Sequence, residues 1–387
     1  MKLTILLIAC LLSGLTFSSY GQSLIIAKDI NLPKDTVIKN ELINSLNGFL
    51  DQKDGPNKNN KFVLKEDLLV MSALLDELKG MDKNIKLKND HFYKAYLTNA
   101  VKLDNNDFLM QFVYMGMNEN VPVLRASFTL MAKMQDGKFY FHSVLKQNTI
   151  AWKTKKISNV TYHFKDTLDR INALAYIKAV NSYDKRLKMP ITPFDFYFCD
   201  NFPEVLQVLG IDYKSDYNGI KYDDISSHEN GTNLEINGGY DGQLKFDPHD
   251  LWHDRLHMVV PVNIINRPVD EGCAYLYGGS WGIPWEQVLT MFKKYAAENP
   301  NAEWLNLYIN SNKFADNDKP MYVAYIINAL IVQKLEKEKG FAPVLELVSC
   351  GKRQQGDDNY FKALEKVSGI SKAGFNDAVW GLVRQQH

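Results

Sequence analysis

The pattern of hydrophobic and polar positions changes partway along the chain. Between about residues 34 and 81, apolar residues recur at spacings of three and four, which predicts amphipathic helices. From about residue 96, apolar and aromatic runs are separated by short stretches rich in Asn, Asp and Gly, which predicts strands joined by turns. The predicted strands are Tyr96–Leu103, Phe108–Met117, Val121–Met134 and Lys138–Val144. Helices followed by an antiparallel sheet predict a small α+β domain.

The pattern changes again after about residue 156. Strands are predicted at Asn159–Phe164 and Pro193–Cys199, with a long helix between them. Nearly everything after Asp247 has helical periodicity. We therefore expect two domains, an α+β domain at 22–156 and a mostly helical domain with a small sheet at 157–387.

The first residues have the pattern of a secretory signal peptide. Lys2 precedes an apolar run, Leu3–Leu15, and Ser19–Gly21 fits a small-residue cleavage site. We expect residues 1–21 to be removed and the protein to be exported, to a periplasmic or extracellular location. Cys10 is not expected to carry a lipid, because the apolar run continues past it. No later segment is long and apolar enough to span a membrane.

Composition narrows the class of partner. The 387 residues are 45% hydrophobic and 23% charged, and the formal net charge is zero. This is a globular composition without the basic excess that nucleic-acid binding requires, so no nucleic-acid partner is expected. The cysteines that follow the predicted signal peptide are Cys199, Cys273 and Cys350. An odd number without CxxC spacing predicts neither a disulfide framework nor a zinc knuckle.

One predicted helix concentrates the candidate chemistry. Asp247 followed by Pro248 is typical of a helix start. His249, His253 and His257 follow at intervals of four, so they lie on one helix face. Neighbouring imidazoles at this spacing can bind one metal ion.

Two sequence motifs in this region together resemble a known signature. His249-Asp-Leu-Trp-His253 is followed by the segment Asp270-Glu-Gly-Cys-Ala274, with 17 residues between His253 and Glu271. The pair resembles the HExxH…NEG(x)A signature of gluzincin zinc metallopeptidases, and it is most similar to their peptidase-MA-like branch. The resemblance extends over roughly 159–387. For the preceding domain, the element order is similar to that of NTF2-like modules.

The gluzincin resemblance implies a zinc site and a reaction. His249, His253 and Glu271 would bind zinc, and Asp250 would stand in the place of the general base. The implied activity is hydrolysis of a peptide bond in a peptide or protein substrate, with water activated by the zinc ion.

The motif also departs from the family pattern. Asp250 is one methylene shorter than the usual glutamate, and a displacement of about 1 Å at a reacting group can cost roughly 100-fold in rate. Asp250 could instead stabilise the helix N-terminus. The chain is therefore either a weak peptidase or a catalytically inactive pseudo-peptidase that acts as a binding or envelope-assembly module. A second register, with His253 and His257 as the metal-binding pair, remains an alternative.

Other residues near the motif have less specific patterns. Tyr275 and Tyr325 lie in segments that could approach the site and stabilise an oxyanion. Trp281 and Trp285 are expected in the core. The segment 239–244 could supply a strand edge for a peptide, or it could be an ordinary connection.

Overall fold

The computed structural model describes residues 24–219, 224–239, 244–315 and 318–385. The predicted signal peptide at 1–21, with Cys10, lies outside the described residues, and so do residues 240–243 of the segment considered as a strand edge. Helices and several sheets are both present, so the predicted α+β class is confirmed.

The helices within the described residues, numbered in chain order, are α1 (Thr36–Asp51), α2 (Leu68–Leu78), α3 (Leu145–Asn148), α4 (Arg170–Leu187), α5 (Phe202–Leu209), α6 (Pro248–His257), α7 (Arg267–Gly278), α8 (Trp285–Glu298), α9 (Trp304–Ile309), α10 (Val323–Lys339), α11 (Ala342–Val348), α12 (Asp358–Ser368) and α13 (Phe375–Arg384). The strands are β1 (Ile25–Ile26), β2 (Lys94–Lys102), β3 (Phe108–Asn118), β4 (Val121–Gln135), β5 (Lys138–Ser143), β6 (Lys153–Ile157), β7 (Val160–Phe164), β8 (Phe194–Cys199), β9 (Ile211–Lys214), β10 (Asp224–Glu229), β11 (Thr232–Gly238), β12 (Lys313–Ala315) and β13 (Met321–Tyr322).

The chain forms two compact units. The first contains residues up to Leu168 together with Thr192–Gln243, and the second contains Asp169–Ile191 and Leu244–His387. This division differs from the predicted boundary at residue 156, which falls inside the antiparallel hairpin of β6 and β7.

Two sheets make up the β-structure of the first unit. The predicted meander is confirmed as β2-β3-β4-β5, with β1 added beside β2 and β9 beside β4. In β3 buried and less buried residues alternate, as expected for a strand with one face on a core. The second sheet has the order β10-β11-β8-β7-β6, with parallel pairing on both sides of β8.

One hydrophobic core joins these parts of the first unit. Leu46 of α1, Leu74 of α2 and Phe112 of β3 belong to the same buried cluster as Leu209 and Ile236. Sequence reasoning assigned these last two to the second domain, because their contacts with the N-terminal helices and strands are distant in the chain.

The second unit is mostly helical, as predicted for this part of the chain. α7 packs against α6 and α10, and α6 also packs against α4. A buried ion pair fixes α6 to α4: Arg255 donates to Asp184 with Nε–Oδ1 and Nη2–Oδ2 distances of 2.7 and 2.9 Å. Their side chains are 4% and 5% exposed, so each charge depends on the other. Among the described residues, no helix is long and apolar enough to cross a membrane.

Candidate metal centre

The helix α6 begins as its sequence predicts. The carboxylate of Asp247 accepts a hydrogen bond from the backbone N–H of His249 at 2.9 Å, and Pro248 occupies the first turn. The spacing of four residues then places His249 and His253 on one face, with their ring centroids 4.9 Å apart.

Two glycines allow α7 to approach its neighbours closely. A Cβ atom at Gly278 would lie 2.3 Å from the backbone nitrogen of His249, and one at Gly272 would lie 2.6 Å from Cβ of Asn328. Neither position has room for a side chain. The glycine in the Asp-Glu-Gly segment therefore serves helix packing, and this packing brings Glu271 of α7 beside α6.

His249, His253 and Glu271 form a compact cluster of potential ligand atoms. Nε2 of His249 is 3.3 Å from Nε2 of His253 and 3.5 Å from Oε2 of Glu271. All ligand atoms in this group lie within 4.8 Å of one another, so the three residues could hold one metal ion. The structure thus brings together the three residues that the motif singled out.

Hydrogen bonds at the other ring nitrogens orient both imidazoles. Nδ1 of His249 is 2.8 Å from the carbonyl oxygen of Gly279, and Nδ1 of His253 is 2.9 Å from Oδ1 of Asp270. A carbonyl oxygen only accepts, so Nδ1 of His249 carries a proton, and an ionised Asp270 requires the same of His253. In the uncharged rings, both Nε2 atoms then carry lone pairs, and these face each other. A cation or an additional proton between them relieves this repulsion.

The pKa values of His249 and Glu271 are both shifted by their mutual contact. Burial alone would lower the pKa of His249, but its contacts with Glu271 and Gly279 raise that pKa above the ordinary value. For Glu271, burial would raise the pKa, whereas the hydrogen bond with His249 and the nearby charges of His253 and Arg267 lower it. Glu271 is therefore ionised, and the cluster favours positive charge at its centre.

A second cluster is formed by His253, His257 and Asp270. Here the carboxylate is already engaged: Asp270 accepts from Nε1 of Trp252 at 3.2 Å, and Nε2 of His257 lies 3.6 Å from its other oxygen. Burial alone would raise the pKa of Asp270, but hydrogen bonds from His253 and His257 outweigh it and hold the pKa at about 2. Asp270 thus acts as a buried acceptor that orients His253.

A cavity of about 530 Å³ opens beside the first cluster. His249, Asp250 and Glu271 are among its lining residues. Asp250 is exposed and faces the cavity. It also belongs to the first turn of α6, where an acidic side chain stabilises a helix N-terminus. Both roles considered for it from the sequence remain predictions.

The two candidate tyrosines have different environments. Both line the cavity. Tyr275 is 2% exposed, its ring contacts that of His249, and its hydroxyl is hydrogen-bonded to Ser280 and the backbone of Tyr322. Tyr325 is half-buried and lies near the guanidinium of Arg267. Tyr325 is therefore the better placed of the two to meet a ligand.

Sequence reasoning missed three features of this site. It did not find the orienting role of Asp270, which depends on how α6 and α7 cross. It did not find Arg267 on the cavity wall. It was wrong about Trp281, which is 53% exposed and lines the cavity, whereas Trp285 is in the core as expected. The sequence signal for Trp281 was the adjacent Gly282, which is typical of a tight turn. In the structure both residues have positive φ, 55° and 72°, and the turn projects the indole outward.

A scan against protein-family models finds none that matches this chain, and a search of curated proteins finds no significant match.

Proposed function

We propose that the second unit binds zinc through His249, His253 and Glu271 and hydrolyses peptide bonds. The supporting observation is the geometry of the three ligand atoms. Donors about 2.0–2.1 Å from a tetrahedral zinc ion lie about 3.3–3.4 Å from one another. The distances from Nε2 of His249 to its two neighbours, 3.3 and 3.5 Å, fit this requirement. Nitrogen and carboxylate donors are also the ligands that zinc prefers.

Each residue of the site has a distinct role in this proposal. When bound, zinc lowers the pKa of a water molecule and polarises a carbonyl group. Asp250 accepts the proton of the attacking water and passes it to the leaving amine. Asp270 and the carbonyl of Gly279 keep both imidazoles in the ligand tautomer. Tyr325 donates a hydrogen bond to the oxyanion that develops on the substrate.

The fold and the predicted signal peptide support the same proposal. A long helix, a helix bearing two histidines and a following helix with the glutamate fit a gluzincin-like fold of the peptidase-MA branch. The order of α1, α2 and β2–β5 fits an NTF2-like sheet in the first unit. The signal-peptide pattern at 1–21 fits an activity outside the cytoplasm, on peptides or proteins of the envelope or the surroundings.

A pseudo-peptidase is the second candidate, and Asp250 is the observation that favours it. The shorter carboxylate ends farther from the metal position than a glutamate would. In this alternative the site holds zinc and a peptide without cleaving it, and the protein acts as a binding or assembly module.

Asp250→Glu separates the two candidates. If Asp250 is a base held too far from its water, the longer side chain restores reach and raises cleavage of a mixed peptide library by roughly 10- to 100-fold. Asp250→Asn keeps the shape but cannot accept the proton, so cleavage falls. Mass spectrometry of the library products measures both effects.

Zinc content is the control for this pair of variants. Neither variant removes a proposed ligand, so both should retain the zinc stoichiometry of the unaltered protein. Zinc without cleavage in the unaltered protein and in Asp250→Glu would support the pseudo-peptidase and contradict hydrolysis.

A further inference from the structure

Two arginines line the cavity beside the proposed zinc site, and their environments differ. Arg353 is already engaged within the fold. Its Nη1 donates to the hydroxyl of Ser311, its Nη2 to the carbonyl of Ile309, and its guanidinium pairs with the buried Asp357. Arg353 is therefore a fixed part of the wall, with its charge balanced from within the protein.

Arg267 combines one anchor with an exposed guanidinium. Its Nε lies 3.3 Å from Oε1 of Glu271 and its guanidinium lies near Tyr325, yet its side chain is 77% exposed. The carboxylate of Glu271 is shared with His249, so Arg267 is only partly neutralised. Its planar guanidinium directs N–H donors toward the cavity, in the arrangement that binds a carboxylate through two parallel hydrogen bonds.

The position of Arg267 relative to the proposed zinc site limits where such a carboxylate would be. Arg267 touches one oxygen of the same carboxylate whose other oxygen faces His249. An extended peptide advances about 3.3–3.6 Å per residue, so a group bound at this guanidinium belongs to the first or second residue from the scissile bond.

The remaining walls suit the rest of a short peptide. Trp281 and Tyr322 give the cavity aromatic surfaces, and Pro268 and Pro320 add apolar ones. A volume of about 530 Å³ is within the range of cavities that enclose small ligands.

We propose that Arg267 binds a substrate carboxylate, so that the site selects peptides carrying a carboxylate one or two residues from the scissile bond. This inference rests on the proposed function, because the register is counted from the proposed zinc position. The carboxylate is either the free C-terminus, which makes the enzyme a carboxypeptidase, or an acidic side chain within a longer peptide.

Equilibrium binding to the zinc-loaded full chain tests this without relying on turnover. The probes are N-acetyl-Ala-Ala-Phe with a free carboxylate, its C-terminal amide, and N-acetyl-Ala-Asp-Phe amide, titrated by calorimetry. We expect the free acid, the Asp peptide or both to bind about 10- to 100-fold more tightly than the uncharged amide. The acid and Asp arms distinguish the two sources of the carboxylate. The preference should weaken at high salt, because the guanidinium is exposed.

Variants at Arg267 assign the preference to this residue. Arg267→Gln should abolish it, and Arg267→Lys should retain part of it, because a point charge remains without the fork. Arg384→Gln, which removes an exposed arginine at the end of α13, is the matched control and should leave the preference unchanged.

Each outcome bears on a different claim. Equal affinity for acid, Asp peptide and amide, absence of binding by all three, or an unchanged preference in Arg267→Gln would overturn the inference. Absence of zinc in a protein that still shows an Arg267-dependent preference would overturn the proposed function and leave the carboxylate site standing.

Discussion

Two clusters of imidazole and carboxylate side chains share His253, and each brings three potential metal-ligand atoms together. In the first, His249 and His253 direct Nε2 atoms at each other across 3.3 Å beside a cavity. In the second, Asp270 lies between His253 and His257 and also accepts a hydrogen bond from Trp252.

The difference lies in which polar atoms are already satisfied. In the second cluster, protons on ring nitrogens can meet the oxygens of Asp270, so no ion is needed for a stable arrangement. In the first, the acceptors at Nδ1 fix the protons on the far side of both rings and turn lone pairs toward one another. The second cluster therefore supports the first, in the manner of the outer carboxylate of a histidine–metal site.

Replacing single histidines should have the largest effect on zinc affinity and separates the two clusters most clearly. His249→Ala removes a proposed ligand, and we expect zinc affinity to fall by roughly 1,000-fold or more. His257→Ala is the matched variant on the same helix face, and it should change the affinity little. Competition with a chromophoric chelator measures both. Loss of zinc in His257→Ala with retention in His249→Ala would exchange the roles of the two clusters.

Removing the charge of the shared acceptor should have an intermediate effect. Asp270→Asn leaves an oxygen that can accept from His253 but removes the charge that makes this imidazole a better ligand. Loss of an outer-sphere partner typically lowers metal affinity by about 10- to 100-fold. The exposed Asp377→Asn in α13 controls for the loss of a negative charge. An unchanged zinc affinity in Asp270→Asn would mean that Asp270 does not orient a ligand.

The smallest effect is expected from the two tyrosines. Burial raises the pKa of Tyr275 to about 12, and its hydroxyl is bonded within the fold. Tyr275→Phe should therefore lower the free energy of unfolding by about 1 kcal/mol and leave zinc affinity unchanged. Tyr325→Phe should instead slow peptide cleavage and leave the free energy of unfolding almost unchanged. Denaturant unfolding and cleavage assays on both variants would refute the assignment if they showed the opposite pattern.

The parts of this site that follow local periodicity could be predicted from the sequence. The spacing of His249 and His253, and the helix start at Asp247, are properties of one helix. The position of Glu271 followed from a resemblance, and the structure brings it to the histidines through the glycine contacts of α7. Asp270 could not be interpreted because its partners lie on α6, and Arg267 could not because the cavity that it lines forms only when the helices pack.

The division of the fold was harder to predict for the same reason. The predicted strands agree with β2–β5, β7 and β8 to within two residues at each end. The grouping of β8 and β11 with the N-terminal sheet and helices depends on contacts such as that of Ile236 with the first core, far apart in sequence. Periodicity reports which face of an element is buried, and it does not report against what.

The most direct test of the central claim is the metal content and coordination of the purified full chain. After metal removal and reconstitution, we predict one zinc ion per chain, with X-ray absorption showing two imidazole nitrogens and one carboxylate oxygen at about 2.0–2.2 Å. A protein that binds no stoichiometric zinc, or one whose zinc disappears with His257→Ala and persists in His249→Ala, would contradict the account.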